Sequence, residues 1–318
     1  MPVAGRSCPL HYRYSPGVLA RPAELVAETL YVIGGLYGNY PALQAILTLR
    51  ELETRPVTLV FNGDFNWFNV DPAGFITINE IVLSHIALCG NVETELAGAA
   101  EEAGCGCAYP EWVEDSVVAH SNAIIQRLRS TAHNFPRLRE QLGTLPIHLV
   151  AEVGGLRIAI VHGDAESLAG WRFSQEALAD PRQSVQLSHF FHQAQVRLFA
   201  CTHTCLPVIQ AVDLPAGLGI IINNGAAGMP NFHHSRYGLI TRISIWPPTR
   251  VQSLYGVQVD DVYVDALPVP YDQAAWWQTF LTNWPPGSPA FESYFQRIMQ
   301  GPDYEPRQAV RINNHWCV

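Results

Sequence analysis

Five times along the chain, a short apolar run ends in a turn that carries glycine or polar side chains. The first three runs, at residues 30–33, 57–61 and 86–89, have the length and composition of buried strands. A helical pattern over residues 41–52 follows the first of them. This alternation predicts a sheet with parallel strands, and the loops at the carboxyl ends of such strands commonly hold functional residues.

The second half of the sequence predicts a larger share of strands. The apolar runs 148–153 and 157–161 flank Gly154-Gly155, which is the pattern of a β-hairpin with a two-residue turn. One helix is predicted before this hairpin, over residues 115–141, and another near residues 181–193. Further strands are predicted at residues 196–200, 208–212, 219–223, 237–245 and 251–259.

The C-terminal part of the sequence is predicted to be helical and is rich in aromatic residues. From about residue 265 it contains two helical stretches, 273–281 and 290–299, separated by Trp284-Pro285-Pro286-Gly287. We therefore predict a main domain at residues 1–264 and a C-terminal helical extension at residues 265–318, whose aromatic side chains pack on the main domain.

Composition and charge exclude several classes of protein. With 48% hydrophobic and 15% charged residues, the chain of 318 residues is typical of a globular protein. Its net charge of -9 does not suit a protein that wraps nucleic acid, because binding to the phosphate backbone needs clustered Lys and Arg. There is no signal-peptide pattern and no long apolar stretch, and the seven cysteines are scattered and odd in number. We therefore expect a cytoplasmic protein with reduced thiols and no membrane partner.

The five turns follow one another in an order that resembles a known family. They read Gly35-Leu36-Tyr37-Gly38-Asn39, Gly63-Asp64, Gly90-Asn91-Val92-Glu93, His162-Gly163 and Thr202-His203-Thr204-Cys205. This order resembles the calcineurin-like metallophosphoesterases, whose motifs are D-x-H-G-N, G-D, G-N-H-D/E, H-G and G-H-x-H. The segment 224–230, NGAAGMP, is also similar to the N-P-G-S-x-G-x-P turn of the small bacterial members of that family.

The resemblance implies both a fold and a metal centre. The fold is an α/β sandwich of four layers, αββα, in which two mixed sheets pack together and helices flank them. In the family, two metal ions lie on loops at the sheet edge and share the aspartate of G-D. One ion is also held by the Asp and His of the first motif and the last His of G-H-x-H. The other is held by the Asn of G-N-H, the His of H-G and the first His of G-H-x-H.

Carried over residue by residue, the second set of ligands is complete in this chain. It consists of Asp64, Asn91, His162 and His203. One carboxylate, one amide oxygen and two imidazoles suit one divalent transition metal such as Mn, Zn or Fe, and leave room for water. Each residue also has a role without a metal, because Asp and Asn stabilise turns and a buried His is often satisfied by hydrogen bonds.

The other metal position has lost most of its ligands. Gly35, Tyr37 and Cys205 stand where the resemblance implies Asp, His and His. Glycine offers no side-chain ligand, tyrosine binds a metal only as a phenolate with an ordinary pKa of about 10, and cysteine binds as a soft thiolate. We therefore predict one metal ion at most, with Cys205 as an additional candidate ligand, and we expect Tyr37 to fill the vacated space.

Three other features lead to weaker predictions. Val92 replaces the histidine of G-N-H, so Glu93 beside it is expected to be a solvated carboxylate at a helix start. His233-His234 could approach the same edge of the fold, although paired histidines in loops are more often solvated. Cys105-Gly106-Cys107 could be a redox or metal pair, but two ordinary thiols are favoured because no second pair lies nearby.

The retained and the lost ligands lead to two functional hypotheses. The first is a divergent metallophosphoesterase that hydrolyses a small phosphorylated molecule, with Asp64, Asn91, His162 and His203 as catalytic residues around one metal ion. The second is a catalytically inactive descendant that binds a phosphorylated ligand or a protein partner. Turnover that depends on a metal distinguishes the first hypothesis from the second.

Overall fold

The computed structural model describes residues 3–98, 103–248, 250, 252–312 and 316–317. The strands are β1 Leu25–Ala27, β2 Thr29–Ile33, β3 Thr58–Asn62, β4 Ile86–Leu88, β5 His148–Val153, β6 Leu156–Val161, β7 Leu198–Cys201, β8 Pro207–Leu214, β9 Gly217–Asn224, β10 Tyr237–Ser244, β11 Tyr255–Val259, β12 Val262–Pro270, β13 Val310–Arg311 and β14 Trp316–Cys317. The α-helices are α1 Tyr40–Leu52, α2 Pro72–Leu83, α3 Asn91–Ala97, α4 Asp115–Ala132, α5 Pro136–Gly143, α6 Gln175–Leu178, α7 Ser184–Ala194, α8 Gln273–Asn283, α9 Pro289–Gln300 and α10 Pro306–Ala309. Short 3-10 helices span Leu10–Tyr12, Pro16–Ala20 and Pro181–Gln183.

Within the described residues, the strands form two mixed sheets of seven strands each. The strand order is β1-β5-β6-β7-β9-β8-β13 in the first sheet and β14-β11-β12-β10-β2-β3-β4 in the second. Strands β2, β3 and β4 are parallel neighbours, as are β6, β7 and β9. The carboxyl ends of each parallel set lie at one edge of its sheet, which is where the five turns are found.

An apolar layer lies between the two sheets. Leu30 of β2 and Ile158 of β6 are buried in the same cluster, so residues of both sheets share one core. Leu43 of α1 belongs to a second cluster outside the second sheet, and Phe190 of α7 belongs to a third outside the first sheet. Burying each such side chain stabilises the fold by about 1.5–3 kcal/mol. The layers are therefore helix, sheet, sheet and helix, and the predicted αββα sandwich is confirmed.

The predicted hairpin is present, and the predicted long helix is divided. Gly154 and Gly155 have φ angles of 56° and 79°, which suit a tight turn between β5 and β6. The helix predicted over residues 115–141 is instead two helices, because Pro136 lacks the N–H that a continuing helix needs and begins α5.

Strand β12 runs across residue 264, where the sequence places the end of the main domain. Helices α8 and α9 come after β12 in the chain. The bounds of both helices differ from the predicted ones by two residues at most. Trp276, Phe280 and Trp284 are fully buried in the same cluster as α1, so this segment contributes to the core beside the second sheet. The NH of the Trp284 ring donates to the backbone carbonyl of Phe68 at 3.0 Å.

Two further observations concern the helices and the cysteines. Of the helices in the described residues, none combines the length and apolarity needed to cross a bilayer. The cysteine side chains that the structure describes are free thiols, namely Cys8, Cys89, Cys105, Cys107, Cys201 and Cys205.

Candidate metal centre

Two glycine-containing turns bring the backbone after β3 and β4 close to His162. Gly63 and Asp64 both have positive φ angles, of 80° and 55°. A Cβ on Gly63 would lie 2.3 Å from the backbone nitrogen of Gly90 and 2.7 Å from Nδ1 of His162. A Cβ on Gly90 would lie 2.2 Å from Oδ1 of Asp64. Only glycine allows so close an approach, so these residues let the two turns and the imidazole pack together.

Four candidate ligand atoms face one another at the ends of β3, β4, β6 and β7. His162 Nε2 lies 3.3 Å from each of three atoms: Asp64 Oδ2, Asn91 Oδ1 and His203 Nδ1. One ligand atom each from Asp64, His162 and His203 all lie within 4.8 Å of one another. All four residues are buried, with exposures of 6% or less. The fold thus brings together Asp64, Asn91, His162 and His203, the four residues that the motif resemblance implies as metal ligands.

Backbone carbonyls orient three of these four side chains. The donor and acceptor pairs are His162 Nδ1 to Asn62 O at 2.8 Å, His203 Nε2 to Cys107 O at 3.1 Å, and Asn91 Nδ2 to Cys105 O at 2.9 Å. When each outer nitrogen donates in this way, the inner atoms of the neutral side chains are acceptors with free lone pairs. The Asp64 carboxylate is an acceptor as well. Four acceptor atoms therefore surround one point, which is the arrangement that a cation stabilises.

The charges of the site are linked through the Asp64 carboxylate. Burial would raise the pKa of Asp64, but the neighbouring His162 holds it below its usual value. Burial would lower the pKa of His162, but Asp64 raises it overall. Burial lowers the pKa of His203 to about 4, and the charge on His162 adds to this effect. His203 is therefore neutral near pH 7, which is the form that binds a metal.

The backbone of the Cys105-Gly106-Cys107 segment supports the site, and its thiols do not take part as a pair. The carbonyl of Cys107 accepts from His203 and also from the ring NH of Trp171 at 2.9 Å. The edge of the Trp171 ring packs on His203, with 5.5 Å between ring centroids. Burial raises the pKa of the Cys107 thiol, so it stays protonated near pH 7. This carbonyl role is not recognisable from the C-x-C spacing.

Glu93 is fully buried, so the prediction of a solvated carboxylate is wrong. Its two oxygens accept from four backbone N–H groups: Asp64 at 2.7 Å, Phe65 at 3.1 Å, Asn66 at 3.2 Å and Gly90 at 3.1 Å. Burial, and then the Asp64 carboxylate, raise the pKa of Glu93 to about 7. Glu93 thus ties the Gly63-Asp64 turn to the start of α3 and holds Asp64 in its positive φ angle.

Replacing Glu93 with Gln is expected to lower the free energy of unfolding by about 2–4 kcal/mol, because an amide NH₂ would face backbone N–H donors and leave them unpaired. Urea denaturation of the variant and the wild type measures the effect. Glu80→Gln, at an exposed position on α2, is the matched control and should change stability by less than about 0.5 kcal/mol. Equal stabilities of the two variants would show that Glu93 does not organise the turn.

Tyr37 occupies the space beside the lost first-motif ligands, as expected. Its hydroxyl lies 2.8 Å from Sγ of Cys205, and that thiol also donates to the carbonyl of His203 at 3.2 Å. A Cβ on Gly35 would lie 2.8 Å from Cζ of the Tyr37 ring, so a larger side chain does not fit there. Burial raises the pKa of both the Tyr37 hydroxyl and the Cys205 thiol. Both groups are therefore neutral near pH 7 and bonded to protein atoms, which leaves the vacated position without an anionic ligand other than Asp64.

A pocket of about 220 Å³ is lined by three of the four candidate ligands, Asp64, Asn91 and His203. Its walls are largely aromatic, and they include Trp67, Tyr109, Trp171 and Tyr294. Tyr294 belongs to α9, so the C-terminal extension lines this pocket. Such a shape, apolar with a few convergent polar groups, is typical of a site for a small molecule.

His233 and His234 lie away from this pocket. Both side chains are exposed, and their rings contact each other with 3.8 Å between centroids. Nδ1 of His233 lies 3.7 Å from a carboxylate oxygen of Glu305. They form the solvated pair that their loop position favours, and they do not line the site.

Comparison with known proteins identifies similar folds at low sequence identity. No family model matches the sequence, and no curated protein matches it either. A hypothetical protein from Pyrococcus horikoshii matches with a TM-score of 0.59 and 16% identity, over 88% of this chain and 100% of that chain. A metallophosphoesterase from Sphaerobacter thermophilus matches with a TM-score of 0.51 and 17% identity, over 86% of this chain and 100% of that chain.

These similarities concern the backbone, and they agree with the motif order. Both solved structures are covered along their whole length, so the match includes both sheets rather than one βα unit. Identities of 16% and 17% establish the fold and leave the reaction open. The two mixed sheets, the five turns at the strand ends and the match to a solved metallophosphoesterase lead to one conclusion: this chain has the calcineurin-like metallophosphoesterase fold and is a divergent example of it.

Proposed function

We propose that this chain is a metal-dependent phosphoesterase that uses a single divalent ion, held by Asp64, Asn91, His162 and His203. The observation that carries the proposal is the convergence of four buried acceptor atoms, in which Asp64 Oδ2, Asn91 Oδ1 and His203 Nδ1 each lie 3.3 Å from the fourth, His162 Nε2. The outer nitrogens of three of these side chains donate to backbone carbonyls, so the free lone pairs all face the same point. Four atoms of this kind repel one another unless a cation or a proton lies between them.

The residues present fit a divalent transition metal. One carboxylate, one amide oxygen and two imidazoles match the ligand preferences of Mn, Zn and Fe. When bound, such an ion supplies Lewis-acid chemistry to a phosphoryl group. Asp64 provides the only negative charge of the set, and the N–H of Val92 holds its other oxygen at 3.2 Å. Aromatic side chains, among them Trp67 and Trp171, line the pocket beside these ligand atoms.

The test is a measurement of metal content and of hydrolysis by the purified full-length protein. p-Nitrophenyl phosphate and bis-p-nitrophenyl phosphate represent phosphomonoesters and phosphodiesters, and Mn, Zn, Fe, Ni and Mg are each added to metal-free protein. We expect binding of about one ion per chain and turnover that requires it. Absence of both metal binding and turnover with every ion would refute the enzyme proposal.

A second candidate function follows from the vacated metal position. In two-metal sites the ions lie about 3.5–4 Å apart and clamp both the attacking and the leaving oxygen. Here the Tyr37 hydroxyl and the Cys205 thiol occupy the position of the second metal ion, and they are hydrogen-bonded to each other at 2.8 Å. This favours a protein that binds a phosphorylated ligand without cleaving it. Thermal stabilisation by phosphate esters without product formation would support this candidate, and turnover would exclude it.

The stability that a bound metal ion adds to the folded protein is expected to increase as the pH rises above about 6.5. Asp64 raises the pKa of His162 although burial opposes it. The proton on His162 stabilises the metal-free fold fully below about 6.5, and this contribution is lost as the pH rises through the raised pKa. A metal ion competes with that proton, so its affinity increases over the same range.

Thermal unfolding with and without Mn²⁺, at a series of pH values on both sides of neutrality, measures this effect. The difference in Tm between the two forms should grow with pH in the wild type. It should stay small throughout in Asp64→Asn, which lacks the anionic ligand. A wild-type difference that is constant or shrinks with pH would contradict the assignment of His162 as a ligand.

A further inference from the structure

Arg297 of α9 brings a positive charge to the vacated metal position. One of its terminal nitrogens donates to the backbone carbonyl of Cys205. Burial raises the pKa of Tyr37 and of Cys205, and the positive charge of the guanidinium reduces this increase at both residues. These are two of the residues that replace the lost ligands. The cation therefore lies beside them, in the lining of the same pocket as Asp64, Asn91 and His203.

The guanidinium has donors that the described protein atoms do not use. Its Nε is buried and has no hydrogen-bond partner among the described residues. A buried unpaired donor costs about 1–3 kcal/mol, but Nε is closed to solvent, so a ligand does not reach it directly. The terminal nitrogen Nη1 also has no hydrogen-bond partner among the described residues, and since Arg297 lines the pocket, the natural acceptor for Nη1 is a molecule bound there. An arginine with spare N–H groups in a pocket is a typical binding group for a phosphoryl oxygen.

Helix packing fixes the position of Arg297. Tyr294, one turn earlier on α9, packs against Phe68 with 5.0 Å between ring centroids. Ser293 is hydrogen-bonded to His120 of α4 at 2.7 Å. Gly301 follows the end of the helix as its C-cap, and a Cβ there would lie 1.9 Å from the carbonyl of Phe232. The guanidinium is therefore held on a packed helix, and little ordering is needed when a ligand binds.

The pocket has a simple charge pattern. Of the described residues that line it, Arg297 is the only Arg or Lys and Asp64 is the only carboxylate. The remaining walls are mostly aromatic or apolar, including Trp67, Val92 and Trp171. A ligand with one phosphoryl group would place it between the candidate metal ligands and the guanidinium. A second phosphoryl group would find no further cationic side chain in the described lining.

We infer that Arg297 takes over the role of the lost metal ion by binding a phosphoryl oxygen of the ligand opposite the retained metal position. The site would thus recognise a single phosphoryl group by one metal ion and one guanidinium. This inference rests on the proposed phosphoryl ligand and is independent of whether that ligand is hydrolysed. It makes the C-terminal extension part of the binding site. Arg297 is a ligand-binding residue in this account, and it does not bind the metal.

Binding of inorganic phosphate to the full-length protein tests the inference. Isothermal titration calorimetry is carried out on Mn²⁺-loaded and on metal-free protein, and Mn²⁺ affinity is measured separately for each variant. Arg297→Gln removes the charge and leaves a shorter polar side chain. Arg297→Lys keeps the charge without the planar fork. Gln296→Ala, at the exposed neighbouring position on α9, is the matched control.

We expect Arg297→Gln to bind phosphate at least about tenfold more weakly than the wild type, since a hydrogen bond to a charged group is lost. Arg297→Lys should be intermediate, and Gln296→Ala should equal the wild type. The Mn²⁺ dissociation constant should change by less than about threefold in all three variants, because none removes a metal ligand. This combination of results separates a ligand-binding role from a structural one.

The contrary results are distinct from failure of the proposed function. Phosphate affinity unchanged in Arg297→Gln overturns the inference, even if the wild type hydrolyses phosphoesters. Loss of Mn²⁺ and phosphate binding together in both Arg297 variants overturns it too, because it indicates a structural role. If the wild type binds phosphate through Arg297 but shows no turnover, the inference stands and the enzyme proposal fails. A wild type that binds no phosphate in either form overturns the inference.

Discussion

An Asp64→Asn variant is expected to bind Mn²⁺ about 1000-fold more weakly than the wild type, a loss of about 4 kcal/mol of binding free energy. Asp64 is the only anionic member of the four candidate ligands, and it is buried beside two imidazoles. The amide has the same size and can still accept from the N–H of Val92, as Oδ1 of the carboxylate does at 3.2 Å. The fold should therefore persist while the metal site fails. Metal-dependent phosphoester turnover should fall to background in this variant.

Metal affinity by calorimetry and turnover of p-nitrophenyl esters are the two readouts. Asp71→Asn is the matched control, because Asp71 caps α2 by accepting from the N–H of Gly74 at 2.7 Å and Asn caps a helix about as well as Asp. The control should keep wild-type metal affinity and turnover. An Asp64→Asn variant that binds Mn²⁺ as tightly as the control would show that the metal, if any, is held elsewhere.

A Gly63→Ala variant is expected to be destabilised by about 3–5 kcal/mol, which is large for the addition of one methyl group. Its φ angle of 80° is strained for any residue with a Cβ. In addition, that Cβ would lie 2.3 Å from the backbone nitrogen of Gly90 and 2.7 Å from His162 Nδ1. The contact cannot be relieved by rotating one side chain, because the nearest atoms belong to a backbone. The turn that carries Asp64 would have to move.

A Gly155→Ala variant separates the two causes of this loss of stability, which are backbone strain at a positive φ angle and the close contact of the added Cβ. Gly155 has nearly the same φ angle, 79°, and no atom lies within 4 Å of its ideal Cβ. This variant should lose only about 1–2 kcal/mol from backbone strain. Chemical denaturation of both variants gives the difference, which measures the close packing at the metal centre. If both variants lose the same stability, the approach of the two turns and His162 is looser than the structure indicates.

The sequence predicts the positions of the four candidate ligands because each follows an apolar strand. Parallel strands bring their carboxyl ends to one edge, so Asp64 and Asn91 are expected near each other from the βαβ pattern alone. That His162 and His203, from the other sheet, reach the same point follows only from the resemblance. Periodicity does not indicate how two sheets pack, and the 3.3 Å distances depend on that packing.

Groups that act through the backbone are harder to predict. The carbonyls of Cys105 and Cys107 orient Asn91 and His203, yet any residue type has a carbonyl. Glu93 reads as a surface carboxylate at a helix start, and its burial is stabilised by backbone N–H groups of a turn nearly thirty residues earlier. Such long-range contacts leave no periodic pattern in the sequence.

Strand β12 is not among the strands that the sequence predicts, and it contains Pro268 and Pro270, although proline is rare inside strands. In the structure, β12 pairs with β11 only as far as Ala266, and beyond that residue β10 is its paired neighbour. Pro268 and Pro270 therefore have a paired strand, β10, on one side only. On the side of β11 their missing N–H groups interrupt no hydrogen bonds between strands. Helix α2 was also not predicted, although Asp71 and Pro72 form a capping signal at its start.

The most direct test of the central claim is anomalous diffraction from crystals of the full-length protein loaded with Mn²⁺. We predict one anomalous peak, located among His162 Nε2, His203 Nδ1, Asn91 Oδ1 and Asp64 Oδ2, and no peak between Tyr37 and Cys205. Crystals soaked in saturating Mn²⁺ that show no peak among these four atoms, or that show a pair of peaks with the second beside Cys205, would contradict the account of a single retained metal position.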